Sequence, residues 1–270
     1  MRPQPASPIV RASHSRFGLV EEYEYPRSRA QALPVHAHGD VQICFSLDFP
    51  GRYAYRGRLH EVPIGAVSVL DAWEPHAASD PCDRNRLSHY LVVYLDPIRF
   101  RSATELAASG PIDDPIRTDP PTVWRFRALY DALTSGATPL EQDERYEALA
   151  SRVLVRKPRP APDAAPASLV RARDFIAAHA TEKIGVREAA AQADLSPWHF
   201  VRAFRTRFGL PPHRFQLWMR IDMARRLLAA GVPGSEVAHA TGFADQSHFV
   251  RAFKRMMRMT PTQYRGAKKN

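Results

Sequence analysis

The first part of the chain alternates apolar and polar residues in short runs that are separated by turn residues. Such runs occupy residues 41–47, 51–55, 66–70 and 88–95. Alternation with a period of two is typical of β-strands whose two faces meet different surroundings. The spacing of the runs predicts a small β-barrel or sandwich over residues 16–96, preceded by an N-terminal arm of residues 1–15.

The period then changes to that of an amphipathic helix. Residues 120–133 and 139–155 carry apolar stripes that include Leu129, Leu133, Leu149 and Val153. We therefore predict a helical bridge over residues 97–155. Two packed helices of this kind cover an open sheet face or pair with a second subunit.

The pattern of residues changes again after residues 156–167. In this segment four prolines among alanines and charged residues exclude a helix or the interior of a sheet. We interpret this segment as an extended linker. Beyond it the pattern is helical throughout, with Pro and Gly between the helices. The predicted helices are 168–180, 185–193, 196–208, 212–230, 234–241, 245–257 and 261–265.

Charge divides the chain at the same place. Residues 168–270 hold 18 Lys and Arg against 7 Asp and Glu, whereas residues 1–167 hold 20 against 21. The whole excess of positive charge, +10 for the chain, therefore belongs to the C-terminal part. This asymmetry indicates that the C-terminal part binds a polyanion such as nucleic acid.

Other compositional features exclude several classes of protein. No apolar run approaches the roughly 20 residues of a membrane helix, and the N-terminus lacks the apolar core of a secretory signal. The two cysteines, Cys44 and Cys82, lack metal-type spacing and are expected to be reduced thiols. We expect a cytoplasmic protein that does not engage a membrane.

A six-residue sequence occurs twice in the C-terminal part. Residues 199–204 read HFVRAF and recur as residues 248–253, an offset of 49. Each copy follows a short helix rich in small residues and a turn, which is the anatomy of a helix-turn-helix unit. The units span 185–208 and 234–257. Ser196 and Asp245 are predicted to cap the second helices, and Gly242 to supply a left-handed turn.

The second helix of each unit has two distinct faces. Phe200, Phe204 and Phe208, and likewise Phe249, Phe253 and Met256, have the spacing of a buried stripe. Opposite that stripe the residues suit a DNA major groove, because Arg reads guanine edges and cations meet phosphates. These groove-facing candidates are Trp198, Val201, Arg202 and Arg205 in the first unit, and Ser247, Val250, Arg251 and Lys254 in the second.

Residues 168–267 resemble the AraC/XylS-type DNA-binding domain. The resemblance rests on 189–190, on 194–204, on the connecting helix 212–228, and on 237–254 and 260–265, including the Gly-Phe turn and the terminal Pro-x-x-Tyr-Arg. It implies two recognition helices about one DNA turn apart that read adjacent major-groove segments. By this resemblance the groove-facing positions are Trp198, Val201, Arg202, Gln246, Ser247, His248 and Arg251.

Residues 16–96 resemble the cupin-like barrel that often precedes such domains. The resemblance rests on His36-x-His38 with Gln42, on Gly57-x5-Pro-x-Gly65, and on the later His76. A cupin metal centre would carry a glutamate where Gln42 stands, and neutral Gln is a weaker ligand for a hard dication. We therefore favour no metal at His36, His38 and His76, and expect no required cofactor.

Two other interpretations of these barrel residues remain open. Both imidazoles of the His-x-His pair could be hydrogen-bonded parts of the barrel. Alternatively the barrel holds a small organic effector. The candidate effector residues are His36, His38, Gln42, Arg52, Tyr55, Trp73 and His76.

Together these features predict a multi-domain protein, with an N-terminal cupin-like β-barrel and helices followed by an all-α double helix-turn-helix domain. The predicted function is sequence-specific regulation of transcription, without enzymatic activity. The resemblance implies a homodimer that binds double-stranded DNA, contacts RNA polymerase, responds to a small-molecule effector and acts as an activator. The alternatives are a metal-dependent cupin enzyme fused to a DNA-binding domain, and a ligand-independent DNA-binding protein whose barrel only dimerises.

Overall fold

The computed structural model describes residues 8–102, Ile112, residues 114–154 and residues 166–265. Its strands are β1 (Ile9–Ser15), β2 (Gly18–Tyr25), β3 (Val41–Ser46), β4 (Gly51–Tyr55), β5 (Arg58–Val62), β6 (Val67–Leu70), β7 (His76–Ser79), β8 (Ser88–Leu95) and β9 (Ile116–Arg117). Its helices are α1 (Pro97–Ser102), α2 (Pro120–Thr134), α3 (Pro139–Leu154), α4 (Ala167–Ala178), α5 (Val186–Ala191), α6 (Pro197–Phe208), α7 (Pro212–Ala229), α8 (Gly234–Ala240), α9 (Gln246–Met257) and α10 (Pro261–Arg265).

The strands form two sheets and not the closed barrel that we predicted. One sheet has the order β1-β2-β8-β3-β6-β9, and the other has the order β5-β4-β7. Closure fails because β6 and β7, neighbours in the chain, join different sheets: β6 pairs with β3, and β7 pairs with β4. The predicted division into a sheet-rich part and a helical part is confirmed. The prediction of a closed barrel is wrong.

The predicted N-terminal arm also needs correction. Residues 9–15 form β1, which pairs along its whole length with β2 in antiparallel register. Val10 is fully buried in this edge strand, because the C-terminal helices α7 and α10 cover it. The segment that we predicted to be an arm therefore contributes a strand to the larger sheet.

The larger sheet has buried side chains on both of its faces. On β8, Val93 and Leu95 join a core with α2 and α3, while Val92 and Tyr94 face the other way and join the core of the C-terminal helices. Successive side chains of a strand point to opposite faces, so one sheet serves two cores. The bridge helices thus cover an open sheet face, one of the two roles that we expected for them.

The C-terminal helices begin and end close to the predicted positions. Leu169 of α4, Ala189 of α5, Phe204 of α6 and Ile221 of α7 are buried together in one core. Most of the predicted linker lies outside the described residues. None of the described helices is long and apolar enough to span a membrane.

Candidate nucleic-acid interface and interdomain cavity

The first helix-turn-helix unit consists of α5 and α6. Ser196 caps α6, since its hydroxyl accepts a hydrogen bond from the backbone N–H of His199, and Pro197 occupies the first turn. Asp194, in the turn, adopts a left-handed conformation with φ of 56°. The cap that we predicted at Ser196 is confirmed.

The second unit consists of α8 and α9 and uses glycine at the tight turn. Gly242 has φ of 75°, as predicted, and a Cβ there would lie 2.1 Å from the carbonyl oxygen of Thr181. Asp245 caps α9 by accepting a hydrogen bond from the N–H of His248 at 2.7 Å. Both predictions for this turn are confirmed.

The two turns differ by one residue. The N–H of Leu195 donates to the carbonyl of Ala190, and that of Phe243 donates to the carbonyl of Ala238, so the first helices and turns correspond at an offset of 48. The capped second helices correspond at 49. Ala244 is the additional residue, and it lengthens the second turn.

The second helices present their candidate faces to solvent. Phe200, Phe204, Phe249 and Phe253 are fully buried, while Trp198 is 65% exposed. The other exposed candidates are Arg202, Arg205, Gln246, Ser247, His248, Arg251 and Lys254. The structure thus brings eight of the nine proposed contact residues to open faces of α6 and α9.

On the candidate face of α6, one residue is less accessible than we predicted and two others contact each other. Val201 is only partly exposed and packs on the core, so it is the least accessible of the nine candidates. The guanidinium of Arg202 lies 5.6 Å from the centre of the Trp198 ring, which is a cation–π distance. The two candidate side chains therefore lie next to each other on the exposed face of α6.

A cavity lies between the two sheets and the C-terminal helices. Its wall from the N-terminal part includes His36, His38, Gln42, Arg52 and His76, together with Tyr23, Tyr53 and Tyr94; its wall from the C-terminal part includes Trp218, Asp222, Arg225 and Met256. Five of the seven predicted effector residues thus line one cavity.

The other two predicted effector residues lie outside that lining. Tyr55, the last residue of β4, is buried, and its hydroxyl donates to the carbonyl of Ile112 at 3.0 Å. Trp73 packs between the domains, with its ring 5.7 Å from that of Phe215 and 4.8 Å from the guanidinium of Arg173. These contacts make Trp73 a residue of the domain junction.

The three histidines meet at one end of the cavity. His36 and His76 face each other across an antiparallel bridge with reciprocal backbone hydrogen bonds of 2.9 Å, and their ring centres are 4.3 Å apart. Burial lowers the pKa of His36 to about 3, and also lowers the pKa of His38 and that of His76. All three rings are therefore neutral at physiological pH.

A buried ion pair joins the two domains beside this cavity. The Arg225 guanidinium on α7 lies 2.7 Å from the Glu21 carboxylate on β2, and both side chains are almost inaccessible to solvent. The hydroxyls of Tyr23 and Tyr264 donate to the same carboxylate. We name this group, Glu21, Tyr23, Arg225 and Tyr264, the junction cluster.

A second polar contact lies next to the junction cluster. Arg226 pairs with Asp40 of the N-terminal part and with Asp222 of its own helix. The sequence did not identify the charged residues of this junction, because a charged residue within an amphipathic helix or strand is most often solvated. The sequence does not show that the C-terminal helices cover the face of β2 on which Glu21 lies.

The sequence is similar to helix-turn-helix proteins. A profile of the family described as "Helix-turn-helix domain" matches residues 189–267. The chain is 37% identical over 98 residues to the probable transcriptional regulator LumQ of Photobacterium leiognathi, which covers 36% of this chain and 40% of that protein. The matched part is thus less than half of LumQ.

A second relative is similar over most of the chain. The transcriptional activator RhaS of Klebsiella pneumoniae is 25% identical over 255 residues, which covers 89% of this chain and 90% of RhaS.

Solved structures share the whole architecture. Apo ToxT of Vibrio cholerae superposes with a TM-score of 0.69 at 12% identity, covering 96% of this chain and 100% of that one. ToxT with an unsaturated fatty acid bound gives 0.65 at 11% identity, covering both chains completely. At such identities the likeness concerns the fold. The sequence match and the paired units agree, and residues 189–267 of this chain are an AraC-type helix-turn-helix domain.

Proposed function

We propose that this chain is a sequence-specific DNA-binding regulator of transcription that responds to a small organic effector. The observation that carries the proposal is the pair of exposed, cationic faces on α6 and α9, each opposite a fully buried face. Arg202 and Arg251 hold equivalent places on these faces. Arg in a major groove donates two hydrogen bonds to guanine.

The proposal also covers the oligomeric state, the contact with RNA polymerase and the direction of regulation. We propose a cytoplasmic homodimer that contacts RNA polymerase and acts as an activator, as the name of RhaS indicates for that relative. Trp124 on α2 and Leu140 on α3 are 59% and 70% exposed, which favours this helical surface as the dimer contact. Sedimentation of Trp124→Ser against the unmodified chain tests this part.

The DNA-binding part is tested by selecting a binding site from random duplexes with the unmodified chain. Arg202→Ala and Arg251→Ala should each weaken binding to the selected site by about 1–3 kcal/mol, because a bidentate base contact is lost. Fluorescence anisotropy measures the dissociation constants, and the unmodified chain should lose affinity steeply as salt rises.

Arg58→Ala is the matched control, since Arg58 is an exposed arginine on the distant strand β5. It should leave the affinity for the selected site unchanged. Equal affinity of the two recognition-helix variants and this control would refute the assigned faces.

The effector part rests on the cavity between the domains. Both domains contribute to its wall, so a bound molecule contacts both of them. Such a molecule favours the arrangement of the two domains to which it binds more tightly. The Trp218 Nε1–H is a buried donor without a partner among the described residues, which favours a ligand with a hydrogen-bond acceptor. The fatty acid reported with ToxT supports a fold that accommodates an organic ligand.

A thermal-shift panel of apolar carboxylic acids and small aromatics tests this part. Ala78→Phe fills the cavity lining and should abolish the shift, whereas Ala54→Phe, on an exposed position of β4, should retain it. DNA binding should persist in both variants. If no compound stabilises the folded chain, the ligand-independent interpretation of this domain replaces the effector.

A further inference from the structure

We infer that His36, His38 and His76 form a binding site for a first-row transition dication such as Zn²⁺ or Co²⁺. One potential ligand atom from each residue lies within 4.8 Å of the others. The inference reverses our expectation from the sequence, and it does not depend on the proposed DNA-binding function. Gln42 was the reason for that expectation, and three imidazoles need no carboxylate to bind zinc.

The hydrogen bonds of the three rings determine which nitrogen is available. The Nδ1 atoms of His36, His38 and His76 each lie 2.9 Å from a backbone carbonyl oxygen, of Pro34, Asp40 and Glu74 respectively. A carbonyl oxygen only accepts, so each Nδ1 carries the proton. In a neutral ring the lone pair then resides on Nε2.

This arrangement is the one that metal-binding histidines use. Their second nitrogen donates to a carbonyl or carboxylate, which sets the tautomer and orients the ring. Here three backbone carbonyls supply that support before any ion binds.

The Nε2 atoms of His76 and His38 lack suitable partners. The Nε2 of His76 is buried without a hydrogen bond among the described residues. The Nε2 of His38 faces the amide oxygen of Gln42 at 3.1 Å, which places two acceptors against each other. A cation between them removes this conflict, as does a turned Gln42 amide.

The ligand atoms lie up to 4.8 Å apart, which is somewhat farther than a bound ion requires. A tetrahedral zinc with Zn–N bonds of about 2.1 Å requires nitrogens roughly 3.4 Å apart. The bridge between His36 and His76 fixes two ligands, and the period-two spacing places His38 on the same side. Small shifts of the rings would close the set around an ion, and the fourth ligand can come from the cavity that all three histidines line.

The site also touches the C-terminal domain. The His36 ring stacks on that of Trp218 of α7, with centres 4.5 Å apart and planes at 26°. An ion on His36 therefore lies next to the helix that connects the two helix-turn-helix units. Quenching by Co²⁺ should be weaker in Trp218→Phe than in the unmodified chain, since Trp218 is the nearest reporter.

The test uses the whole chain with Cys82→Ser, because an exposed thiol would compete for the ion. After chelation and dialysis, calorimetric titration with Zn²⁺ should show one ion per chain. Outer ligand partners alone are worth about 10–100-fold in affinity, so His38→Ala and His76→Ala should each weaken binding by more than about 100-fold. His239→Ala, an exposed histidine on α8, should bind as the parent does.

X-ray absorption of the zinc-loaded parent identifies the metal ligands without a histidine substitution, so it remains informative if a variant fails to fold. Three imidazole nitrogens around the ion support the site. The inference is overturned if the folded parent retains no stoichiometric zinc, if fewer than three imidazoles ligate it, or if a folded His76→Ala binds equally well. None of these measurements involves DNA, so they are independent of the proposed regulator function.

Discussion

Gly242 carries a steric requirement that no other residue type meets. Its φ is positive, and an added Cβ would overlap the backbone of Thr181, which cannot turn away as a side chain would. Its own carbonyl accepts a hydrogen bond from Arg220 at 2.6 Å. The turn of the second unit is therefore hydrogen-bonded to α7 and packs closely against Thr181, which follows α4.

We expect Gly242→Ala to lower the free energy of unfolding by about 2–4 kcal/mol, from left-handed strain and overpacking combined. Urea unfolding followed by circular dichroism measures the change. Gly234→Ala is the control, because Gly234 begins α8 and a Cβ there meets nothing within 4 Å. Similar stability of the two variants would contradict the close approach to Thr181.

At the residue scale the sequence predicts what depends on neighbours along the chain. The caps Ser196 and Asp245, the left-handed Gly242 and the buried Phe200 and Phe249 all follow from local spacing. The Arg225–Glu21 pair joins residues 204 positions apart, and nothing local distinguishes Arg225 from a solvated arginine. Its burial depends on which strand face the helix covers.

The helices of the two units depend on their N-caps, because the first backbone N–H groups lack partners within the helix. Asp245 meets this need for α9 with a hydrogen bond of 2.7 Å. We expect Asp245→Ala to destabilise the folded chain by about 0.5–2 kcal/mol. Asp245→Asn retains an acceptor and should cost less, as measured by thermal unfolding; equal losses would exclude the cap as the cause.

At the element scale the helices were predictable and the sheets only in part. Alternation identified β3, β4, β6 and β8, since each has one polar or differently packed face. It does not specify pairing partners, so it could not show that β6 and β7 separate into different sheets. It also missed the pairing of β1, whose burial comes from helices distant in sequence.

The junction cluster links the two halves of the molecule. Removing one member leaves a buried charge without its partner, which costs about 3–5 kcal/mol. We expect Glu21→Gln to lower the melting temperature and to make the chain more sensitive to proteolysis. Glu61→Gln is the matched control, because the Glu61–Arg52 pair is exposed and worth at most about 1 kcal/mol.

A double substitution distinguishes the lost pair from a general packing defect. Glu21→Leu combined with Arg225→Met removes both charges, so its cost should be smaller than the sum of the two single substitutions. Additive costs in urea unfolding would mean that the two side chains do not interact across the junction.

The larger sheet, with its two buried faces, constrains how such a chain can be recombined. The face of Leu19, Tyr23 and Tyr94 is complementary to one particular set of helices, and Glu21 within it needs the guanidinium of Arg225. A chimera that joins this sheet domain to the helix-turn-helix domain of a relative inherits an unneutralised carboxylate unless an arginine stands at the equivalent place. Recognition helices are therefore best exchanged singly, as α6 or α9, with α7 and α10 left in place.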